Sequence, residues 1–482
     1  MRPNVILRYC GLSLVVVSTL MLVSAIIAFF NESDCSFIPL LVSGLFFMAG
    51  GVLLVFLIAP VREIYTGEGY TIVFTTWMTA CIAGAIPFVI YGGEFTVVNA
   101  LFESVSGFTT TGASILNNIE ALPMGLLFWR VAEAWIGGIG VVILITLAIS
   151  DNRSGQSVLV SSETSNLSRE YFTGNKRRFV KMMILTYSSI TLLSFILLMI
   201  TGMGWFDALT HAMSACSTCG FSTKNSSIAY FDSPLIEAVL IFSMLSGAVN
   251  FTLLYSTIVP GRHKRSYILK SEIFRAFLIL IAVAVVMNTI SLRINNEYSS
   301  LSETFRQAVF QTVSLATTTG FATTDTNVWP GFCIGVLIFS SLICGCAGST
   351  SGGIKVDRLV LVAKGTHYQI QRLKKPSQVI HSRLEGKFRK PDEIVQAEIF
   401  ILLYLGLIFI GATLNLALGM DPRSGISAAI ACMGNVGPGF GEVGSIGNYS
   451  DLPDTLKISN TILMLAGRLE IYPIVLAFRN RI

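Results

Sequence analysis

The chain has 482 residues, of which 53% are hydrophobic and only 13% charged. A water-soluble domain of that size has too little interior to hide so much apolar side chain, so composition places the chain in a membrane and excludes an ordinary soluble enzyme or binding module. The formal charge of +5 would suit nucleic acid, but the positions of the 33 Lys and Arg exclude that reading.

Ten apolar stretches approach the length that crosses ~30 Å of hydrocarbon as a helix. They cover 9–30, 37–58, 70–91, 124–149, 180–201, 235–259, 273–292, 331–344, 394–418 and 458–477; the eighth is short. Basic residues gather at the N-terminus, at Arg62, in 150–182, in 258–275, in 355–393 and at the C-terminus. In a ten-span chain these segments share one side, and retention of positive charge in the cytoplasm places both termini there. The first stretch, with Val23-Ser-Ala25 as an apparent cleavage site, is longer than a signal-peptide core and is expected to stay as a span. Nine cysteines, an odd number lying mostly in apolar stretches, imply no disulfide framework, and Cys216-Ser-Thr-Cys219 lacks the βαβ context of a redox motif.

The first two spans have only residues 31–36 between them and form a hairpin over 1–67. Four units follow, at 68–150, 178–260, 270–365 and 393–482, separated at 366–392 by a basic linker with Pro376 and Pro391. Within each unit a span leads to a short segment (99–108, 206–216, 303–316, 425–433), then a glycine-bearing strip, then a second span. Such segments are too short to cross, but they suit a half-helix that enters the membrane and turns back. The strips are Glu103-Ser-Val-Ser-Gly-Phe-Thr-Thr-Thr-Gly112, His211-Ala-Met-Ser-Ala-Cys-Ser-Thr-Cys-Gly220, Gln311-Thr-Val-Ser-Leu-Ala-Thr-Thr-Thr-Gly320 and Ala428-Ala-Ile-Ala-Cys-Met-Gly-Asn-Val-Gly437. Their final glycines stand 108, 100 and 117 residues apart. A repeat of that length predicts four equivalent units around a pore.

Extended backbone at membrane depth persists only where protein buries it or it lines a watery passage. Carbonyls turned inward from four such strips can replace the hydration shell of a potassium ion, and glycine permits both the backbone angles and the close approach. The expected ion-binding residues are Thr110, Thr111 and Gly112; Thr218, Cys219 and Gly220; Thr318, Thr319 and Gly320; and Asn435, Val436 and Gly437. Ser106, Ser214 and Ser314 share one column, which supports a common register; Ala431 departs from it.

These strips, with Trp135-Ile-Gly-Gly-Ile-Gly140 and Asn435-Val-Gly-Pro-Gly439, resemble the Trk/Ktr/HKT superfamily of potassium transporters over essentially the whole chain. The N-terminal hairpin and the length are most similar to its bacterial TrkH/TrkG branch. The resemblance implies an all-α, ten-span pore-forming subunit of the bacterial inner membrane, working as a homodimer and gated by a cytosolic nucleotide-binding subunit of TrkA type. It also implies K+ as the transported ion without an organic cofactor, because relatives that prefer sodium carry serine at the first filter glycine, where this chain has Gly112.

The short eighth span runs into Gly345-Cys-Ala-Gly-Ser-Thr-Ser-Gly-Gly353, a polar interruption of an apolar helix that must line a cavity. The resembled family has its intramembrane gate in this loop, so Gly345, Gly348, Ser349, Thr350, Ser351, Gly352 and Gly353 are gating candidates. A phosphate loop is excluded because Ile354 separates the last glycine from Lys355. Arg468, in the middle of the last span, carries a charge that must face water or a partner. It is expected to hydrogen-bond the loop's carbonyls and to repel cations in the closed state; the alternative is a structural ion pair with Glu470 or another acid. Arg130 and Glu133, three residues apart on one helix, are expected to pair. His211 lacks a second histidine for a metal.

Walker and phospho-aspartate motifs are absent from the sequence, and it offers no nucleophile–base cluster for an enzyme. Passive gated K+ uptake is the expected mechanism. Glu103 is the one acid near a strip that could couple transport to another ion. Three alternatives remain: a sodium-permeable relative of the same fold, the membrane subunit of a K+-pumping ATPase, and a secondary transporter of another solute built from two inverted halves.

Overall fold

The computed structural model describes residues 2–32, 34–60, 65–148, 176–258, 267–375 and 383–479. Arg62, most of the basic segment 150–182, part of the segment 258–275, and residues 376–382 of the linker lie outside the described residues. The architecture is helical throughout, apart from two pairs of two-residue strands.

Helices α1 (Pro3–Phe29) and α2 (Phe37–Leu57) pack against one another near the N-terminus. Both are apolar around most of their circumference, and their outward side chains, such as Phe46 and Phe56, are exposed for lipid. Two glycines bring the pair close. A methyl group on Gly51 would stand 2.8 Å from the Gly11 carbonyl, and one on Gly11 would stand 2.8 Å from Leu54 Cβ. In a membrane, where hydrophobicity gives helices no reason to associate, such small-residue contact is what holds them.

Four segments then repeat one plan. The first has α3 (Thr66–Tyr91), half-helix α4 (Val97–Phe108) and α5 (Met124–Ala148). The second has α6 (Lys176–Ile200), half-helix α7 (Trp205–Ser217), then α8 (Pro234–Ala248) and α9 (Phe251–Ile258). After the short α10 (Tyr267–Lys270), the third has α11 (Glu272–Ile294), half-helix α12 (Leu301–Ala316) and α13 (Gly331–Leu342). Helix α14 (Val356–Lys374) leads to the fourth, with α15 (Pro391–Ala417), half-helix α16 (Pro422–Gly434), α17 (Asp454–Arg468) and α18 (Tyr472–Arg479). Three half-helices start on a side-chain cap that satisfies an orphan N–H. Thr96 accepts from Asn99 N (3.3 Å), Ser300 from Glu303 N (3.1 Å), and Asp421 from Arg423 N (3.0 Å).

Among the described residues, six helices are long and apolar enough to cross a membrane on their own: α1, α2, α3, α6, α11 and α15. Helix α5 follows the fourth expected stretch. The remaining three expected spans are not continuous helices. The sixth bends by 110° between Ala248 and Phe251. There Asn250 Oδ1 accepts from Thr252 N (2.9 Å) and starts a new helix. The eighth stops at Leu342. Strand β1 (Ile343–Cys344) then pairs in parallel with β2 (Ile354–Lys355), and a loop runs between them. The tenth breaks after Arg468, where Glu470 and Ile471 take positive φ angles of 54° and 64°. Hydropathy alone reads the sixth and tenth stretches as continuous because one or two polar residues hardly change the average, whereas the eighth ends close to where its short apolar stretch does. The linker contains the end of α14 and a small hairpin of β3 (Arg383–Leu384) with β4 (Lys387–Phe388).

If the α1–α2 contact rests on its glycines, Gly51→Leu should weaken hairpin docking by about 1–3 kcal/mol, the usual cost of overpacking. The check is the detergent-phase melting temperature, expected to fall for Gly51→Leu and to stay unchanged for the lipid-facing Phe56→Leu.

Candidate functional site: a ring of four strips beside an intramembrane loop

Each half-helix ends the same way. The amide of Thr111 donates to Ser106 O (2.8 Å), that of Cys219 to Ser214 O (3.0 Å), that of Thr319 to Ser314 O (2.8 Å) and that of Val436 to Ala431 O (2.9 Å). This is the 6→1 bond of a Schellman terminus, which needs the preceding residue in the left-handed conformation. That residue is Thr110, Thr218, Thr318 and Asn435, with φ between 52° and 58°. A β-branched threonine resists this conformation, so the local energy is held by the surrounding structure. Asn435, the apparent departure of the fourth strip, is the residue of the four that adopts it most readily.

Two residues later Gly112, Gly220, Gly320 and Gly437 are also left-handed, at φ 80°, 86°, 84° and 92°. Alternating hand along a strip turns successive carbonyls toward the same side, whereas a regular strand would alternate them. The four strips close into a ring. A Cβ on Gly112 would overlap Cys219 O, one on Gly220 would overlap Thr319 O, one on Gly320 Val436 O, and one on Gly437 Thr111 O. Each glycine therefore abuts the carbonyl of the next strip, in the order one, two, three, four and back to one. All twelve expected ion-binding residues lie in this ring, and Thr110, Thr111, Thr218, Cys219, Thr318, Thr319, Asn435 and Val436 have no exposed surface.

The second helices carry a matching feature that the sequence reading did not identify. Gly137, Gly247 and Gly467 sit against the terminal carbonyls of their half-helices, at Phe108, Cys216 and Met433, so closely that a Cβ would collide. In the third segment, where α13 has already ended, Gly345 N donates to Ala316 O (3.3 Å) instead. The signal in the sequence is a glycine at matching depth in each second span.

Nine residues before the first three ring glycines, Glu103, His211 and Gln311 pin the limb of chain that leaves the ring. Glu103 accepts from Ile115 N (3.0 Å) and Ser114 Oγ (3.0 Å). His211 Nε2 lies 2.9 Å from Ser222 Oγ, and the Gln311 amide faces Thr323 Oγ1 at 3.3 Å. The expected Arg130–Glu133 pair does not form. Arg130 reaches across to Glu103 (2.6 Å), while Glu133 accepts from Ser104 Oγ (2.9 Å). Ser114 Oγ also accepts from the Arg130 guanidinium (3.1 Å), so the Glu103 side offers Arg130 two acceptors. On the same face a cavity of about 390 Å³ opens over Gly112, Gly220, Gly320 and Gly437, with Asn117, Ser222 and Asn448 on its wall.

The opposite face meets the loop. Cys346 N donates to Ala248 O (2.8 Å), Thr350 N to Gly247 O (3.1 Å), and Asn250 Nδ2 to Ala347 O (2.6 Å), so the bend of the second segment cradles the loop. Gly348 and Gly353 are left-handed. Ser349 and Ser351 hydroxyls meet at 2.8 Å. Gly352 packs so tightly on Gly434 O that a side chain would not fit, and Gly345 packs likewise on Ser351. Arg468 donates to the Thr350 carbonyl and also to Gly137 O (2.8 Å), linking loop, fourth segment and first segment. Glu470 holds an ion pair with Arg358, at the start of α14. Lys355 donates to Ser351 O.

The family model described as "TrkH: Cation transport protein" matches residues 41–481. The Trk system potassium uptake protein TrkH of Vibrio parahaemolyticus is 33% identical, covering 99% of this chain and 98% of that one. TrkG of Escherichia coli is 32% identical, covering 98% and 97%. The crystal structure of the potassium transporter TrkH from Vibrio parahaemolyticus superposes with a TM-score of 0.88 at 32% identity, covering 98% of each chain.

Removing one partner of a buried ion pair strands the other charge, at about 3–5 kcal/mol. Arg130→Met alone should therefore lower the melting temperature steeply, and Arg130→Met with Glu103→Gln should recover part of the loss. Unfolding of the three proteins in detergent measures both effects.

Proposed function

The chain belongs to the TrkH family of cation transport proteins, and from that premise we propose that it is the pore-forming subunit of a potassium uptake system. Potassium passes through the ring down its electrochemical gradient. An inside-negative potential contributes ~2.3 kcal/mol per 100 mV for each ion. The observation that carries this reading is the closed ring of alternating-hand strips, which supplies backbone oxygens from four sides at one level. The proposed ligands are the oxygens of Thr110, Thr111 and Gly112 and their counterparts Thr218, Cys219, Gly220, Thr318, Thr319, Gly320, Asn435, Val436 and Gly437. Since backbone oxygens do the coordinating, Cys219 and Val436 in place of threonine leave the ring chemically intact.

The loop from Gly345 to Gly353 acts as the gate. Its carbonyl hydrogen bond to Arg468 supports a closed position in which a fixed guanidinium also opposes passing cations. The division into an N-terminal hairpin, four pore units and a basic linker belongs to the same reading. So do an inner-membrane location with both termini in the cytoplasm, a homodimer, and control by a cytosolic nucleotide-binding subunit of TrkA type. A coupling role for Glu103 finds less support, because Arg130, Ser114 and the Ile115 amide already engage its carboxylate.

Rubidium uptake into K+-loaded proteoliposomes tests the ring. The intact chain should take up Rb+ and exclude Na+. Gly112→Ser, whose side chain must displace Cys219 O, should lose at least tenfold in Rb+ over Na+ preference. Equal selectivity in the two proteins would refute the ligand assignment. Arg468→Ala should raise the unstimulated flux several-fold, and an unchanged flux would remove the arginine from gating.

A further inference from the structure

The loop touches the ring at particular atoms. Gly352 N donates to Thr318 Oγ1 (3.0 Å), and Thr218 Oγ1 lies 3.3 Å from Thr350 Oγ1. Thr350 Oγ1 in turn donates to Cys216 O (3.1 Å) and Gly247 O (3.0 Å), which docks the loop under the second half-helix. Thr218 and Thr318 are two of the four left-handed residues that end the half-helices. The other two, Thr110 and Asn435, are fully buried, yet Thr110 Oγ1 and Asn435 Oδ1 have no hydrogen-bond partner. Asn435 Oδ1 also borders Gly352, standing 3.0 Å from where a Cβ on that glycine would be. Its amide nitrogen is held by Thr111 Oγ1 (3.0 Å) and Met464 O (2.9 Å), which fixes the direction of the free oxygen.

A buried oxygen without a donor costs roughly 1–3 kcal/mol, and two at equivalent positions of one ring are not an accident of packing. Four side-chain oxygens at equivalent positions of the ring, two of them vacant acceptors, suit a dehydrated monovalent cation. The loop donates its Gly352 N–H to Thr318, accepts the Thr218 hydroxyl at Thr350 Oγ1 and, through Thr350 O, holds the Arg468 guanidinium nearby. The N–H dipole and the guanidinium carry positive charge toward the place a cation would take.

We propose that the side-chain oxygens of Thr110, Thr218, Thr318 and Asn435 form a monovalent-cation site at the loop face of the ring, and that the docked loop and the cation exclude one another. Potassium arriving at this site displaces the loop, so the transported ion favours its own passage. This rests on the filter reading above and adds its regulation.

The test is thermal unfolding of the purified full-length chain in detergent, titrated with KCl at constant ionic strength against choline chloride. The wild-type protein should be stabilised by K+ with a measurable half-saturating concentration. Thr350→Ala leaves every proposed ligand intact but weakens loop docking by one hydroxyl; it should lower that concentration roughly three- to tenfold, the worth of one hydrogen bond. Thr110→Val should raise it by a similar factor and Thr110→Ser should restore it; Thr110→Ala serves if the valine protein does not fold. A wild-type protein indifferent to K+ would overturn the filter reading itself. A wild-type protein stabilised by K+, with Thr350→Ala and the Thr110 variants unshifted, would overturn only the competition.

Discussion

A half-helix that ends at membrane depth must deliver its last carbonyls to something other than water, and the rest of the structure is arranged around that need. In each of the four segments the 6→1 bond closes the helix and the following left-handed residue turns the chain into the strip. The second helices then admit the terminal carbonyls through Gly137, Gly247 and Gly467. No single element could hold such a strip, because backbone without internal partners does not survive in hydrocarbon. The strips are kept in place from behind by Glu103, His211 and Gln311, and from the side by one another. Geometry that threonine would ordinarily refuse is thereby imposed at three of four positions.

Fourfold likeness ends on the loop face. The first segment keeps an unbroken second helix in α5, while the second bends at Asn250, the third opens into the loop and the fourth stops at Arg468. Each break supplies a partner to the same place. The bend offers Gly247 O and the Asn250 amide, and the fourth segment offers the guanidinium. Arg358 and Glu470 join the helix that follows the loop to the break after Arg468. Movement of α14 is therefore mechanically connected to the loop and to the break after Arg468.

Much of this was legible in the sequence, for reasons that differ from part to part. The strips could be found because glycine has no substitute where a neighbour's carbonyl occupies the space of a Cβ. The half-helices could be found because ten to fourteen residues are too few to span. The loop from Gly345 to Gly353 announced itself through four glycines and three hydroxyls within nine residues that follow an apolar helix. The bends at Asn250 and Glu470 were not legible, since a single polar residue in an apolar run is also compatible with an intact helix. Arg130 was assigned to its helical neighbour Glu133, but the choice of Glu103 depends on tertiary packing that brings a carboxylate and two of its donors across from another helix. Asn435 stands where the other three strips have threonine, and its conformational preference makes it the least strained residue in that column.

The claim on which all else depends is that the four strips hold a potassium-like ion between them. Crystals soaked in rubidium or thallium and measured at the absorption edge would test it directly. The account predicts anomalous peaks on the axis enclosed by Gly112, Gly220, Gly320 and Gly437, within oxygen-coordination distance of all four strips. A well-ordered ring with no anomalous density on that axis, while the protein still transports rubidium, would contradict it.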